Sequence, residues 1–407
     1  MKYSSFFLFL TLIITACSNH KDLKIGDWDG YLKLNDSINL PFSFKIEKNT
    51  ANYELTIING EEKTPLIFDF DDSIKSDSLV YSFKAYNTYL IFSIDKENKI
   101  SGYWVNNDRK NNSRIPFYAN SKKDTTISYL TDKNISGKWE VRFSYNDSIA
   151  AYPAIGLFEQ HENNLVSGTF LTETGDYRFL TGNISEKELI LSCFDGSHAF
   201  LFKSTYEQDS LKGLFYSGSH WKTNWYGVKN DSFELADPYK LTYLESEEKI
   251  RFSKPDLAKN NFSFPNDTLN GKVIILQLFG SWCPNCMDET VFFKTLYEDY
   301  NNSGLEIIAL GYEMPEELDK KIARLKNYKS KFDINYTLLV GGKANKKEAS
   351  ADFPMLNNIS SFPTSIFINR AGEVVKIHTG FNGPGTGKIY DAYVEETKVL
   401  VEKLLNE

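Results

Sequence analysis

The chain has 407 residues, 41% hydrophobic and 15% aromatic, and its 46 Lys and Arg against 54 Asp and Glu leave a net charge of −8. That length exceeds what one core usually spans, so two or three domains are expected, and without a basic, aromatic-interleaved stripe a nucleic-acid partner is excluded. Cys17, Cys193, Cys283 and Cys286 are too few for a disulfide-dense scaffold, and neither they nor the five histidines show metal-ligand spacing, so no metal is expected.

At the N-terminus, Lys2 supplies a positive charge and Phe6 to Ala16 form an apolar run ending in Ile14-Thr-Ala-Cys17. The run is shorter than the roughly 20 residues a spanning helix needs, and reads as a signal peptide over 1–16. Thr15 and Ala16 before Cys17 resemble a bacterial lipobox. That resemblance implies lipidation of Cys17, a tether over 17–21 and a membrane partner reached through the lipid. The protein then sits in the bacterial cell envelope, facing the periplasm or the exterior, where disulfides persist. No later segment is long and apolar enough to span a bilayer.

From about residue 22 to 240, short alternating runs such as Phe42 to Ile46, Tyr53 to Ile57 and Tyr89 to Phe92 are broken by Asn, Asp, Gly and Ser, and predict strands. The region repeats itself. Gly26-x-Trp28 recurs as Gly137-x-Trp139, and Asn35-Asp-Ser-Ile38 as Asn146-Asp-Ser-Ile149, both at an offset of 111 residues. Tyr89-Leu-Ile with Phe200-Leu-Phe, and Gly102-x-Trp104 with Gly213-x-Phe215, keep that offset. Two homologous all-β modules, 22–125 and 132–235, are therefore expected, each a barrel or sandwich of about eight strands. The G-x-W opening resembles the first strand of lipocalin-type barrels, which hold ligands; a packed spacer is the plainer reading. Cys193, opposite Ser82 at the same offset, reads as a buried inert thiol. Gly175 to Arg178 and the turn from Phe194 to Phe200 are polar, but identify no chemistry.

Past residue 250 the pattern changes to α/β. Val273 to Phe279 is a continuous apolar run, as a buried central strand requires. After Trp282-Cys283-Pro284-Asn285-Cys286 a helix is expected to about residue 301. A buried strand from Leu305 to Leu310, a polar helix from Pro315 to about Tyr328, and strands at Tyr336 to Val340, Ser365 to Asn369 and Val374 to His378 follow, with a last helix from about Tyr390 to Leu405. Lys343 to Glu348 reads as a charged loop or helix start. The glycine-rich stretch from Gly380 to Gly387 lacks the Lys-Ser/Thr ending of a phosphate loop, and reads as the turn into the last helix. The order βαβα…ββα with C-x-x-C at the first strand-to-helix junction is that of a thioredoxin fold.

These features resemble the TlpA-like and ResA-like thiol–disulfide oxidoreductases, relatives of the AhpC/TSA peroxiredoxins, over residues 250–407. The matching residues are Trp282 to Cys286, Glu289 three residues on, and Ser361 to Asn369 with Pro363 at the family's cis-proline. The resemblance implies a redox-active Cys283–Cys286 disulfide and no other cofactor. Cys283, just before the first helical turn, is the expected attacking thiol and Cys286 the resolving one, since free N–H groups at a helix start favour negative charge on sulfur. Pro284 at the first helical position costs no hydrogen bond. Thioredoxin's strand aspartate is replaced by Gln277, which cannot titrate, so Glu289 is the candidate proton carrier. Trp282, Pro284, Asn285 and Phe362 are expected to line the site, with Phe362 bulkier than is usual before the cis-proline.

The expected activity is that of a membrane-anchored protein-disulfide reductase, taking electrons from a membrane thiol donor and passing them to extracytoplasmic disulfides. A C-x-x-C pair also runs as oxidase or isomerase, so direction stays open. A thiol peroxidase is an alternative, although the P-x-x-x-T-x-x-C setting of a peroxidatic cysteine is missing before Cys283. So is a ligand- or partner-binding lipoprotein with a regulatory redox domain.

Overall fold

The alternating runs after residue 22 become eight antiparallel strands: β1 (Gly26–Lys33), β2 (Asn39–Lys48), β3 (Tyr53–Asn59), β4 (Glu62–Asp69), β5 (Leu79–Phe83), β6 (Thr88–Ile94), β7 (Ile100–Asn106) and β8 (Arg114–Ser121). In this computed structural model, which describes residues 23–49, 53–69, 78–83, 86–122, 131–186, 188–207 and 209–407, β1 pairs with both β2 and β8 and closes a barrel. Cys17 and the apolar run before it lie outside the described residues. An eight-stranded barrel is just wide enough for side chains to fill. Trp28, Phe44, Phe92, Trp104 and Phe117 do so here, each almost fully buried, which makes the interior a packed core.

The second module contains β9 (Gly137–Phe143), β10 (Tyr152–Gln160), β11 (Leu165–Thr172), β12 (Gly175–Asp176), β13 (Leu180–Ile184), β14 (Leu189–Phe194), β15 (Ala199–Glu207), β16 (Ser210–Ser217) and β17 (Trp221–Lys229). Pairing of β9 with β17 and of β10 with β11 closes it as well. The two-residue β12 is an addition on the end of β11. Trp139, Phe143, Phe170, Phe202 and Trp225 fill this barrel, and Cys193 is buried among them.

The repeat is visible in local detail. Trp28 Nε1 donates to the Lys24 carbonyl at 3.0 Å, and Trp139 Nε1 donates to that of Ile135 at 2.8 Å, 111 residues on. The offset misleads at one hairpin. Phe83 and Leu90 belong to the core of the first barrel, but their counterparts Phe194 and Leu201 point out of the second barrel and into the core of the first. The expected match of Tyr89-Leu-Ile with Phe200-Leu-Phe is therefore one residue out of phase. In a strand, that shift exchanges the two faces, which is why Cys193 is interior while Ser82 is only half-buried on the other side.

The exchange joins the barrels. The Phe194 ring lies 4.7 Å from Phe42 and 5.4 Å from Trp104, and its backbone is bracketed by the Asn59 amide at 3.0 and 3.2 Å. Burying such a side chain contributes about 1.5–3 kcal/mol. The Thr88 hydroxyl donates to the Gly196 carbonyl at 2.6 Å, so the β14–β15 turn is seated in the mouth of the first barrel.

Residues 238–245 then run along the third domain, where Thr379 N–H donates to the Pro238 carbonyl and Glu245 N–H to that of Met355. A hairpin of β18 (Phe252–Pro255) and β19 (Asn261–Phe264), not evident in the sequence, precedes β20 (Val273–Phe279). Strands β21 (Leu305–Glu313), β22 (Thr337–Lys343), β23 (Thr364–Ile368) and β24 (Val374–Thr379) complete a sheet of order β22-β21-β20-β23-β24. All seven residues of β20 are buried, as its apolar run requires. The helices are α1 (Pro284–Tyr300), α2 (Leu318–Phe332), α3 (Lys346–Asp352) and α4 (Lys388–Asn406). Helix α2 starts and ends later than its pattern suggested, closing at Asp333 in the left-handed conformation. With β20, α1, β21 and the β23–β24 hairpin in this order, the domain has a thioredoxin fold, so the chain is multidomain, all-β followed by α/β. Among the described residues, no helix is long and apolar enough to cross a membrane.

Candidate redox site

Strand β20 delivers the chain into α1 through Gly280-Ser-Trp-Cys283. Cys283 caps α1: its Sγ accepts the Cys286 N–H at 3.3 Å, and Pro284 occupies the first turn, where no backbone donor is needed. The Cys283 thiol donates to the Phe362 carbonyl at 3.6 Å, which places it against the Phe362–Pro363 peptide, and that peptide is cis. Cys283 is 8% exposed and Cys286 is not exposed at all; both are free thiols. Burial, and then Cys283 beside it, push the Cys286 thiol well above its ordinary pKa. The Trp282 indole donates to the Tyr312 carbonyl at 2.9 Å, and its ring stands edge-on to Phe362. Phe362 stacks on Tyr312, so the bulky residue before the proline has a packing partner.

Glu289 lies on α1 below the cysteines and is fully buried. Gln277 Nε2 donates to one of its oxygens at 2.9 Å, and the Ser365 hydroxyl to the other at 2.8 Å. Burial pushes its pKa up to about 8, against these two donors. Glu289 is thus held by Gln277 and Ser365 rather than bonded directly to Cys286. Gln277, noted in the sequence only as unable to titrate, is the residue that fixes the carboxyl group. Its own Oε1 is buried without a hydrogen-bond partner.

Three groups at the site escaped the sequence. Glu313, at the end of β21, is fully buried and accepts both the N–H (2.9 Å) and the hydroxyl (2.7 Å) of Ser281, fixing the loop before Trp282. Asp288 lies on α1 two residues after Cys286, and burial raises its pKa to about 7 against the opposing charge of Arg178. Arg178, from the second barrel, is buried with its guanidinium on Asp288, on Glu62 of the first barrel, and 3.6 Å from Asp195. Burial works against ionised Asp195, but His198 and Arg178 hold its pKa down at about 2.

The second barrel also reaches Asn285. Its amide donates to the Phe381 carbonyl at 3.1 Å and to that of Asp176 at 3.4 Å, while Asp176 accepts the Gly383 N–H at 2.6 Å. Gly175 permits this approach: at φ +148°, a Cβ there would lie 2.0 Å from the Asn285 amide nitrogen. The polar stretch Gly175 to Arg178 is therefore the contact between the second barrel and the C-x-x-C turn.

A thiol at a helix start, a shielded partner one turn on and a buried carboxyl nearby are the parts that stepwise thiol–disulfide exchange uses. Residues 246–394 match the family model described as Redoxin. The chain is similar to the thiol-disulfide oxidoreductase ResA of Halalkalibacterium halodurans, 28% identical over 134 residues that cover 33% of this chain and 68% of that protein. It is similar to the thioredoxin-like protein YneN of Bacillus subtilis at 24% identity, covering 34% of this chain and 78% of that protein. Against ResA of Bacillus subtilis the identity is 28%, over 28% of this chain and about half (55%) of that protein. A thioredoxin family protein of Chlorobium tepidum, solved as a crystal structure, is 21% identical and covers 39% of this chain and 94% of its own, with a TM-score of 0.30. The C-terminal part of this chain is a Redoxin-family domain, a ResA-like thiol–disulfide oxidoreductase of thioredoxin fold.

Proposed function

We propose that the protein is a lipid-anchored disulfide reductase of the cell envelope, held at the membrane by Cys17, accepting electrons from a membrane dithiol and passing them to extracytoplasmic protein disulfides. The observation that carries the chemistry is the pairing of Cys283 Sγ with the Cys286 N–H at the start of α1, with Cys286 fully shielded. In the forward step, the Cys283 thiolate attacks one sulfur of a substrate disulfide; that S–S bond breaks, a mixed disulfide forms, and the first substrate thiol leaves with a proton. Cys286 then loses its proton and attacks Cys283 Sγ, releasing the second thiol and forming the Cys283–Cys286 disulfide. Two electrons and two protons pass to the substrate, and the partner dithiol restores the enzyme. Burial disfavours the Cys286 thiolate, so the second step needs a proton acceptor, and the buried carboxyl of Glu289 on the same helix, its pKa raised to about 8, supports that role for it.

The test is a trap. Cys286→Ser leaves Cys283 able to attack but removes the resolving thiol, so mixed disulfides with envelope proteins should accumulate and run as adducts on non-reducing gels. Cys283→Ser should give none. Equal adducts from the two variants would overturn the assignment.

A further inference from the structure

Beside the redox loop is a cavity of about 520 Å³, walled by the first barrel at Tyr86 and Arg109, by the β14–β15 turn at His198, and by the redox domain at Ser281, Trp282 and Arg324. Its volume lies within the range of about 300–1,000 Å³ usual for small-molecule sites. One wall carries Trp282, the residue immediately before Cys283. Another is formed by Tyr328, whose hydroxyl lies 3.3 Å from the Cys286 carbonyl.

Arg109 is the cation on these walls whose charge is not answered. Arg324 is paired with Asp108, also on the cavity lining, whereas no carboxylate among the described residues forms an ion pair with Arg109. Its guanidinium lies over the Trp104 ring at 5.4 Å, and its Nη1 is buried without a hydrogen-bond partner. Burial pulls its pKa below the usual value, and Arg109 in turn helps hold His220 down, after burial. A buried donor left unmade costs free energy, more so on a charged group. A planar guanidinium is the group best shaped to take a carboxylate through two parallel hydrogen bonds.

We propose that this cavity is a substrate site for small disulfides bearing a free carboxylate, with Arg109 binding the carboxylate while the disulfide is presented to Cys283 past Trp282. This rests on the oxidoreductase reading of the cysteine pair and adds a substrate class to it. It also gives the first barrel a part in recognition: Arg109 and Asn87 come from loops of that module, and Met314 supplies an adaptable apolar contact on the opposite wall.

Dithiodipropionate, which carries two carboxylates, and hydroxyethyl disulfide, its neutral analogue, separate the charge from the chemistry. Single turnovers of the reduced full chain should consume dithiodipropionate with a kcat/KM about 10-fold or more above that for the neutral disulfide. Arg109→Gln should abolish that preference through KM, leaving the neutral disulfide and the alkylation rate of Cys283 unchanged; Arg109→Lys should restore part of it. Arg109→Gln consuming both disulfides as the wild type does, or losing both equally, overturns the proposal. Calorimetry on the Cys283→Ser/Cys286→Ser chain separates this from the underlying reading. Dithiodipropionate should bind there, and about 10-fold more weakly once Arg109→Gln is added. Arg109-dependent binding without turnover in the wild type would support the site and refute the redox reading. Binding that ignores Arg109 would refute the site.

Discussion

Arg178, at the edge of the second barrel, donates to the carboxylate of Asp288, two residues beyond Cys286 on α1. The same guanidinium reaches Glu62 of the first barrel, so one buried cation ties three domains together at the redox helix. Taking away one partner of a buried ion pair costs about 3–5 kcal/mol, because the rest stay buried and uncompensated. Arg178→Met should therefore lower the urea midpoint clearly. Combining it with Asp288→Asn should recover part of the loss, a coupling within about 0.5–3 kcal/mol. Unchanged midpoints in the single variant would show that the cluster carries no docking energy.

Glu289→Gln keeps the shape and hydrogen bonding of the buried carboxyl but removes its proton chemistry. General acid–base assistance is worth about 10²–10⁴-fold in many enzymes; a thiol reachable by solvent needs less, so a loss of about 10-fold is expected in resolution of the mixed disulfide. Alkylation of Cys283 should change little. An unchanged resolution rate in quenched-flow measurements would return Glu289 to a structural role.

The same residue bears on pH and stability. Its pKa rises from 4.5 to about 8 on folding, so between these values the folded chain binds the proton and the unfolded chain does not. The stability from this group is complete below about pH 4.5 and is lost as pH climbs to 8. Asp288, raised to about 7, acts in the same direction. Glu289→Gln should flatten the decline by up to about 1.4 kcal/mol per pH unit. Denaturation midpoints between pH 5 and 8 check this, and an unaltered slope would contradict the buried carboxyl.

A fragment from residue 238 to 407 keeps its own core and the linker bonds to Met355 and Thr379. It should fold and reduce insulin with dithiothreitol as donor. Its Cys283 should react faster with iodoacetamide than in the full chain, because Gly175 to Arg178 no longer cover Asn285 and Asp288. An insoluble fragment, or one that is inactive beside an active full chain, would mean that the barrels complete the redox site.

Cys17→Ser should abolish labelling with a fatty-acid probe and release the protein from membranes. Acyl chains on the variant would refute the lipobox.

The redox domain was legible because its signals are local: an apolar strand, a C-x-x-C turn with proline at the helix start, and a proline loop before a strand all lie within short windows. The duplication was legible because Gly26-x-Trp28 and Asn35 to Ile38 recur at one offset, and in the structure Trp28 and Trp139 open their barrels with the same hydrogen bond. What joins the domains was not. Arg178 meets Asp288 110 residues away and Glu62 116 residues away, and no spacing rule links such positions. The match of Tyr89-Leu-Ile with Phe200-Leu-Phe hid a one-residue shift in phase, which turns Phe194 and Leu201 into the first barrel. Gln277 looked like a loss of function, and only its contact with Glu289 gives it a role.

The central claim is that Cys283 and Cys286 cycle between dithiol and disulfide in the reducing direction. Equilibrating the full chain with glutathione buffers and reading the state of the thiols by alkylation and mass spectrometry tests it directly. The account predicts a single two-electron transition, absent in Cys283→Ser, with a midpoint nearer thioredoxin's about −270 mV than the about −120 mV of the oxidant DsbA. A midpoint near the latter value, or no disulfide between the two cysteines, would contradict it.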